Sequence, residues 1–226
     1  MQQYRTIAIC MLICSLLSAC GSTKKSSDNS KDTVNGGIIH YAIDMKIPGM
    51  KSMIDTAFMN YYWRGKAARN NLNMARMDMN IIYNNDSILL LTTTRRNDSI
   101  ATKTSAKQFK SAMGIKELLS IDSTSETKNI AGYKTTKTVY ETKTNGTLVM
   151  WCTKAMDIPL NSLQFYHDKI EGFPLRIEMQ NRGRTAMIFN AVNVSKETPH
   201  DKHFQLRIPK NYDTQSFEQL KKFSNF

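Results

Sequence analysis

Short runs in which apolar and polar residues alternate recur along most of the chain, and short turn signals separate them. Residues 39–46, 77–83 and 175–179 show the alternation most clearly. A period of two places successive side chains on opposite faces of a strand, so each run predicts a half-buried β-strand. The links between successive runs are short. We therefore expect nine or ten antiparallel strands in one sheet, within one large domain.

In three segments the apolar residues do not alternate but recur every three or four residues, which places them on one face of a helix. They are residues 50–57, residues 105–119 and the chain that follows residue 214. Thr104 or Ser105 is predicted to cap the second helix.

Residues 121–129 are polar and show neither period, so they predict a connection. Residues 163–168 and 204–208 predict further short strands. Asp213 or Thr214 is the expected cap of the last helix.

The first twenty residues resemble a bacterial lipoprotein signal. Residues 6–19 are mostly apolar but number only 14, fewer than the roughly 20 that a membrane-spanning helix needs. The sequence LSAC at residues 17–20 resembles a lipobox, which implies lipid attachment at Cys20. We predict a signal peptide over residues 1–19, a lipidated Cys20 with a flexible polar tether to residue 35, and a folded domain over residues 36–226.

The residues after Cys20 indicate which membrane would hold the anchor. Acyl chains contribute about 0.8 kcal/mol per buried methylene, so several chains keep a protein on its membrane. Gly21 stands where an Asp would resemble an inner-membrane retention signal, and Lys24 and Lys25 stand where an acidic run would resemble a surface-export signal. We therefore expect the outer membrane, with the domain facing the periplasm.

Of the four cysteines, only Cys152 remains after signal removal and lipidation, so no intramolecular disulfide is possible. Its strand-like surroundings favour a buried apolar role over a reactive thiol. The net charge of +12 is compatible with anionic lipid or polysaccharide head groups, or with a generally basic surface. No nucleic-acid-binding motif occurs, so nucleic acid is not an expected partner.

No motif of catalysis stands out. The chain lacks a GxSxG elbow, a phosphate-binding loop and a dinucleotide fingerprint. His200 and His203 flank Asp201, but a third ligand is missing from the pattern, so we predict no metal site. We expect a protein that is not an enzyme, has no catalytic residues and needs no cofactor.

Methionine is abundant, with 14 residues, and several lie on alternating or helical apolar faces. Its flexible side chain suits surfaces that adapt to hydrophobic ligands, although ordinary core filling explains the pattern as well. The candidate ligand-cavity residues are Met53, Met77, Met79, Met113, Leu118, Met150 and Met179.

An Asp-Ser/Thr pattern recurs five times and resembles a bacterial periplasmic O-glycosylation motif, although such pairs are also common in turns. The candidate acceptors are Thr33, Thr56, Ser87, Ser99 and Ser123.

The order of several short motifs resembles an uncharacterised domain of Gram-negative lipoproteins, related to the periplasmic lipoprotein carrier LolA and its receptor LolB. The resemblance covers about residues 36–215, and Cys152 departs from it because the family usually has Tyr there. The motifs are GGIIHY at 36–41, YWRGKAAR at 62–69, IAGYK at 130–134, VMWCT at 149–153, GFPL at 172–175, and Phe204 followed by Pro209.

This resemblance implies a mainly β fold (α+β), in which one strongly curved antiparallel sheet forms an incomplete barrel and helices cover its open mouth. It also implies non-enzymatic binding of a lipid acyl chain or another hydrophobe between the sheet and the helices. A lipid-anchored chain cannot leave its membrane as a carrier does, so a receptor-like role fits better. The alternative is a structural or interaction module of the envelope with a filled core and a protein partner.

Overall fold

One sheet of twelve strands runs through the part of the chain that the computed structural model describes. That part comprises residues 35–46, 57–74, 77–94, 98–113, 118–143, 146–160, 163, 168–181 and 183–224. The strands are β1 (Gly36–Met45), β2 (Phe58–Arg64), β3 (Ala67–Met74), β4 (Met77–Asn84), β5 (Ser87–Thr94), β6 (Ser99–Ser105), β7 (Leu118–Ile130), β8 (Tyr133–Thr142), β9 (Gly146–Thr153), β10 (Phe173–Asn181), β11 (Arg184–Ser195) and β12 (Asp213–Thr214).

Two helices complete the described elements, α1 (Ala106–Met113) and α2 (Phe217–Ser224), with a single 3₁₀ turn at Asp201–Phe204. Neither helix has the length and apolar character needed to cross a membrane. The predicted signal peptide, the lipidated Cys20 and the predicted helix over residues 50–57 lie outside the described residues, except for Ala57.

The connectivity shows why the sheet must curve. The strand order is β12-β6-β5-β4-β3-β2-β1-β11-β10-β9-β8-β7, so β6 and β7 lie ten strand positions apart although they are consecutive along the chain. In a flat sheet ten spacings would span about 48 Å. The eight residues of α1 and the four residues before β7 reach only about 30 Å. The ends of the sheet therefore approach each other, and the predicted incomplete antiparallel barrel is confirmed.

The main hydrophobic core lies on the inner face of this sheet. Alternate side chains of every strand from β1 to β5 enter it, as Ile39, Tyr41 and Ile43 of β1 illustrate. Phe109 of α1 and Phe217 of α2 join the same core. Both helices thus pack against the inner side of the sheet, as the family resemblance implies.

The segment between β9 and β10 covers the inner face as well. Met156, Ile158 and Leu163 are buried in the core. The Tyr61 hydroxyl of β2 donates a hydrogen bond to the Pro159 carbonyl. Leu163 was predicted to begin a strand over residues 163–168, but Leu163 itself lies outside the sheet and packs into the core. Residues 164–167 of that predicted strand lie outside the described residues.

A second, smaller apolar cluster lies on the outer face of β4, β5 and β6. The C-terminal segment packs over it with Leu206, Ile208 and Tyr212. The predicted strand over residues 204–208 is therefore wrong. This segment alternates because it covers an apolar surface, and it forms no strand there. It then adds β12 beside β6 in parallel, so the pairing is not antiparallel throughout.

Both helices begin with a reciprocal capping arrangement. Ser105 Oγ accepts from the Gln108 backbone N–H at 3.2 Å, and Gln108 Oε1 accepts from the Ser105 N–H at 3.3 Å. Ser105 is thus the predicted cap. Ser216 and Gln219 form the same arrangement for α2. Asp213 and Thr214 do not cap that helix, because β12 uses them.

The largest correction concerns residues 118–130. The polar connection predicted over residues 121–129 is the thirteen-residue strand β7. The helix predicted to continue through Leu118 and Leu119 ends at Met113 instead. β7 forms one end of the sheet and is exposed on both faces along most of its length. Such a strand needs no apolar period, which is why the pattern failed to reveal it.

Candidate ligand groove

The inner face carries a groove of about 820 Å³ at the β7 end of the sheet. Its walls come from β7, β8 and β9 and from the segment that joins β9 to β10. The lining residues are Ile121, Ser123, Lys134, Thr136, Thr138, Tyr140, Cys152, Thr153, Lys154, Ala155, Asp168, Lys169 and Glu171.

The two-residue period of the strands determines which side chains form the floor of the groove. Thr136, Thr138 and Tyr140 alternate along β8 and therefore share its inner face. Cys152 of β9 lies directly opposite Thr136 in the strand register. The floor thus combines an aromatic ring, a thiol and threonine methyl groups with hydroxyls that can form hydrogen bonds.

Burial keeps the two ionisable floor groups neutral. It raises the pKa of the Cys152 thiol to about 12. Burial is also the main cause that raises the pKa of Tyr140 to about 12, although hydrogen bonds with Thr138 and the Glu171 backbone oppose it. Since the thiolate is the reactive form of cysteine, Cys152 acts here as a small apolar side chain.

The rim of the groove is charged and predominantly cationic. Lys154 pairs with Glu171 at 2.5 Å, and Lys110 of α1 pairs with Asp168. Both carboxylates of the lining are thus neutralised by a lysine. Lys134 has no carboxylate partner among the described residues, so its charge faces the groove uncompensated.

The groove opens beside the unpaired edge of the sheet. Within the described chain β7 pairs only with β8. Two extra residues interrupt that pairing between Ser123 and Thr127, which bends the edge strand. Leu119 on this strand is 65% exposed, the largest value among the exposed large apolar side chains described.

None of the five candidate ligand-cavity residues that the structure describes lines this groove. Met79 and Met150 are buried in the main core, and Met77, Met179 and Leu118 pack against it partly buried. Met53 and the side chain of Met113 lie outside what the structure describes. A ligand role for these seven residues remains a prediction.

The two histidines of the HxxH pattern have other contacts. His200 Nδ1 accepts from the Lys202 N–H at 3.2 Å. The His203 ring stacks on Tyr62 with ring centroids 4.7 Å apart, and Asp201 pairs with Arg64. Among the described residues, no group of three or more His, Cys, Asp or Glu side chains could hold a metal ion.

The five proposed glycosylation positions are spread over the chain. Ser87 and Ser123 are exposed and Ser99 is partly exposed. Thr33 and Thr56 lie outside the described residues. Their modification remains a prediction.

Sequence reasoning missed most of the groove lining. The alternation of Lys134, Thr136, Thr138 and Tyr140 was visible, but it indicated only a threonine-rich strand. The loop lysines join this strand through the tertiary fold, and no sequence spacing signals that.

The comparisons with known proteins found structural similarity only. No family model matches the chain, and no curated protein matches it. A structure of PNGF-II is similar with a TM-score of 0.48 and 17% identity, over 83% of this chain and 32% of that one. The chain thus spans about a third of the length of PNGF-II.

Two further solved structures are similar. An uncharacterised conserved protein from Thermus thermophilus has a TM-score of 0.47 and 8% identity, over 79% of this chain and 90% of that one. The Pseudomonas aeruginosa MucA/MucB complex has a TM-score of 0.43 and 12% identity, over 80% and 58%. Because each of these TM-scores is below 0.5, the function proposed for this chain depends on its own geometry.

Proposed function

We propose that this protein is a non-enzymatic binding module of the cell envelope, and that its groove takes a lipid with an acyl chain and an anionic head group. The observation that carries the proposal is the composition of the groove, with a partly apolar floor and a rim that holds three lysines. An acyl chain on the floor would leave water at about 25 cal/mol per Å² of buried apolar area. The head group would lie beside Lys134.

The location is part of the same proposal. A diacylglyceryl group on Cys20 would hold the domain at the outer membrane, facing the periplasm, where such lipids are within reach. Residues 21–35 would form the tether, because their polar composition supports no packed core.

Native mass spectrometry tests the proposal directly. We would purify the chain from residue 21 onward without detergent, since it contains the whole compact unit Thr33–Phe226. Oleoyl lysophosphatidylglycerol is the anionic probe. We expect one bound lipid per chain, lost on denaturation. No adduct at a tenfold excess of this probe would contradict the proposal.

A matched pair of variants locates the lipid. Thr136→Trp places an indole on the groove floor and should weaken lipid binding at least fivefold. Val139→Trp, three residues along the same strand, is not part of the groove lining and should leave binding unchanged. If both variants lose binding equally, the lipid does not lie in the groove.

A second function, docking of an envelope protein partner, is favoured by the exposed edge of β7. An extended segment of a partner could pair its backbone with that edge and place side chains in the adjoining groove. Leu119→Lys would add a charge at the edge and should prevent such docking while leaving lipid binding intact. Capture of a stoichiometric partner without bound lipid would favour this second function.

A further inference from the structure

A row of polar side chains crosses the outer face of the sheet, on the side opposite to the groove. Five residues lie directly opposite one another across β11, β1, β2, β3 and β4. Asparagine is depleted in strands, so four of them in one cross-strand row are not explained by strand stability. This polar row comprises Asn193, His40, Asn60, Asn71 and Asn80.

Hydrogen bonds within the polar row fix some of its groups. His40 Nδ1 lies 2.7 Å from Asn60 Oδ1. Asn71 Nδ2 donates to Asn80 Oδ1 at 3.0 Å, and Arg69 also donates to that oxygen through two nitrogens at 2.7 and 3.0 Å. The amide groups Asn60 Nδ2 and Asn71 Oδ1 have no bonded partner among the described residues. Asn80 is only 8% exposed and ends the accessible part of the polar row.

An exposed aromatic ring lies beside the polar row. Phe58 is 41% exposed and is flanked in register by the exposed Ala42 of β1 and by Asn73 of β3. The Asn73 amide has no hydrogen-bond partner in the described chain. The exposed Phe58 ring therefore lies next to amide groups that are free to bond a ligand.

This region carries no net formal charge, in contrast to the rest of the molecule. Arg69, Arg176 and Lys46 are matched by Asp78, Glu178 and Asp44, so the sum is 3 − 3 = 0 with His40 counted as neutral. Arg176 Nε donates to Glu178 Oε1 at 2.7 Å, and Asn71 donates to Asp78 at 3.0 Å. On a chain of net charge +12, a neutral polar region is complementary to an uncharged ligand.

We propose that the polar row and Phe58 form a binding site for a neutral saccharide chain. Sugar hydroxyls both donate and accept hydrogen bonds, as amides do. The C–H face of a sugar ring can pack on an exposed aromatic ring. The accessible part of the row runs from Asn193 to Asn71 across four strands and is therefore about 14 Å long, which accommodates a short run of sugar units.

Affinity electrophoresis tests this site with a set of neutral polysaccharides that differ in their sugar units. The chain from residue 21 onward, a basic protein, is run toward the cathode in native gels that contain glycol chitin, mannan, dextran or galactan. We expect at least one of these neutral polysaccharides to retard the protein. Retardation by none of the four, or only by the polyanion polygalacturonate, would overturn the proposal.

Two variants and a control assign the binding to this face. Phe58→Ala and Asn73→Ala should each weaken retardation at least fivefold, because they remove the stacking ring and an amide of the site. Phe58 lies outside both buried apolar clusters, and Asn73 makes no described hydrogen bond. Leu119→Ala also removes an exposed apolar side chain, from the distant strand β7, and should change nothing. Equal loss in all three variants would overturn the site. Phe58→Ala should still bind lipid in the groove. A failure of the saccharide site can therefore be distinguished from a failure of the proposed lipid binding.

Discussion

Gly37→Ala should destabilise the protein through a steric clash that the structure locates. Gly37 lies in β1, directly opposite Trp63 of β2. A methyl group on its Cα would lie 2.2 Å from the Trp63 ring and 2.5 Å from the Ser195 carbonyl oxygen. Real contacts of this kind do not fall below about 3 Å. Trp63 is 1% exposed, so its ring has nowhere to move.

The magnitude follows from these two obstacles. Overpacking in a core costs about 1–3 kcal/mol, and the upper part applies because one obstacle is backbone. Loss of glycine's freedom in the unfolded chain offsets about 0.4–1 kcal/mol of this. We expect the free energy of unfolding to fall by about 2 kcal/mol. For a chain of this size that lowers Tm by about 4–8 °C.

Urea unfolding followed by far-UV circular dichroism measures this change. Gly132→Ala is the matched control, because Gly132 has a φ of +86° and nothing within 4 Å of an added methyl group. Gly132→Ala should therefore lower the free energy of unfolding only through backbone strain, by about 1 kcal/mol. The clash should also shrink when Trp63→Leu is combined with Gly37→Ala. If Gly37→Ala costs no more than Gly132→Ala, or Trp63→Leu gives no relief, the packing described here is wrong.

Three further predictions concern α2 and the groove floor. Ser216→Ala removes the cap of α2 and should cost about 0.5–2 kcal/mol in urea unfolding; an unchanged urea midpoint would contradict the capping role. The Cys152 thiol should react with a thiol reagent at pH 8 only after urea unfolding, in a chain that begins at residue 21, because burial raises its pKa to about 12; fast reaction in the native state would contradict its burial. Stability should fall as pH rises from about 9 toward 12, because the unfolded chain releases the Cys152 and Tyr140 protons at lower pH than the folded chain does. Cys152→Ala should flatten that decline in the urea midpoint, and an unchanged slope would show that the thiol is not the source.

The fold was predictable where each strand has one buried face. β1 and β2 follow the alternation because the core needs every second side chain. β4 and β5 instead carry continuous buried runs, because the C-terminal segment covers their outer face as well. The sequence pattern did not predict β7, because an edge strand exposed on both faces needs no alternation of apolar and polar residues. Residues 204–208 were wrongly predicted as a strand. Their apolar and polar residues alternate because alternate side chains cover an apolar cluster, although the backbone joins no sheet there.

The groove was less predictable than the sheet. Thr136, Thr138 and Tyr140 share a face through strand period, which the sequence shows. Lys154 and Lys169 reach the same groove only through the loop between β9 and β10. Loop geometry depends on tertiary contacts, such as the hydrogen bond from the Tyr61 hydroxyl to Pro159, and no local pattern encodes these.

Paramagnetic relaxation is the most direct test of the central claim, that the groove binds an anionic acyl lipid. A lysophosphatidylglycerol with a nitroxide on its acyl chain is added to ¹⁵N-labelled protein that begins at residue 21. We predict that the amide signals of Thr136, Thr138 and Tyr140 broaden, while those of Asn60 and Asn71 on the outer face keep their intensity. Broadening of the outer-face signals alone, or no broadening at saturating lipid, would contradict the claim.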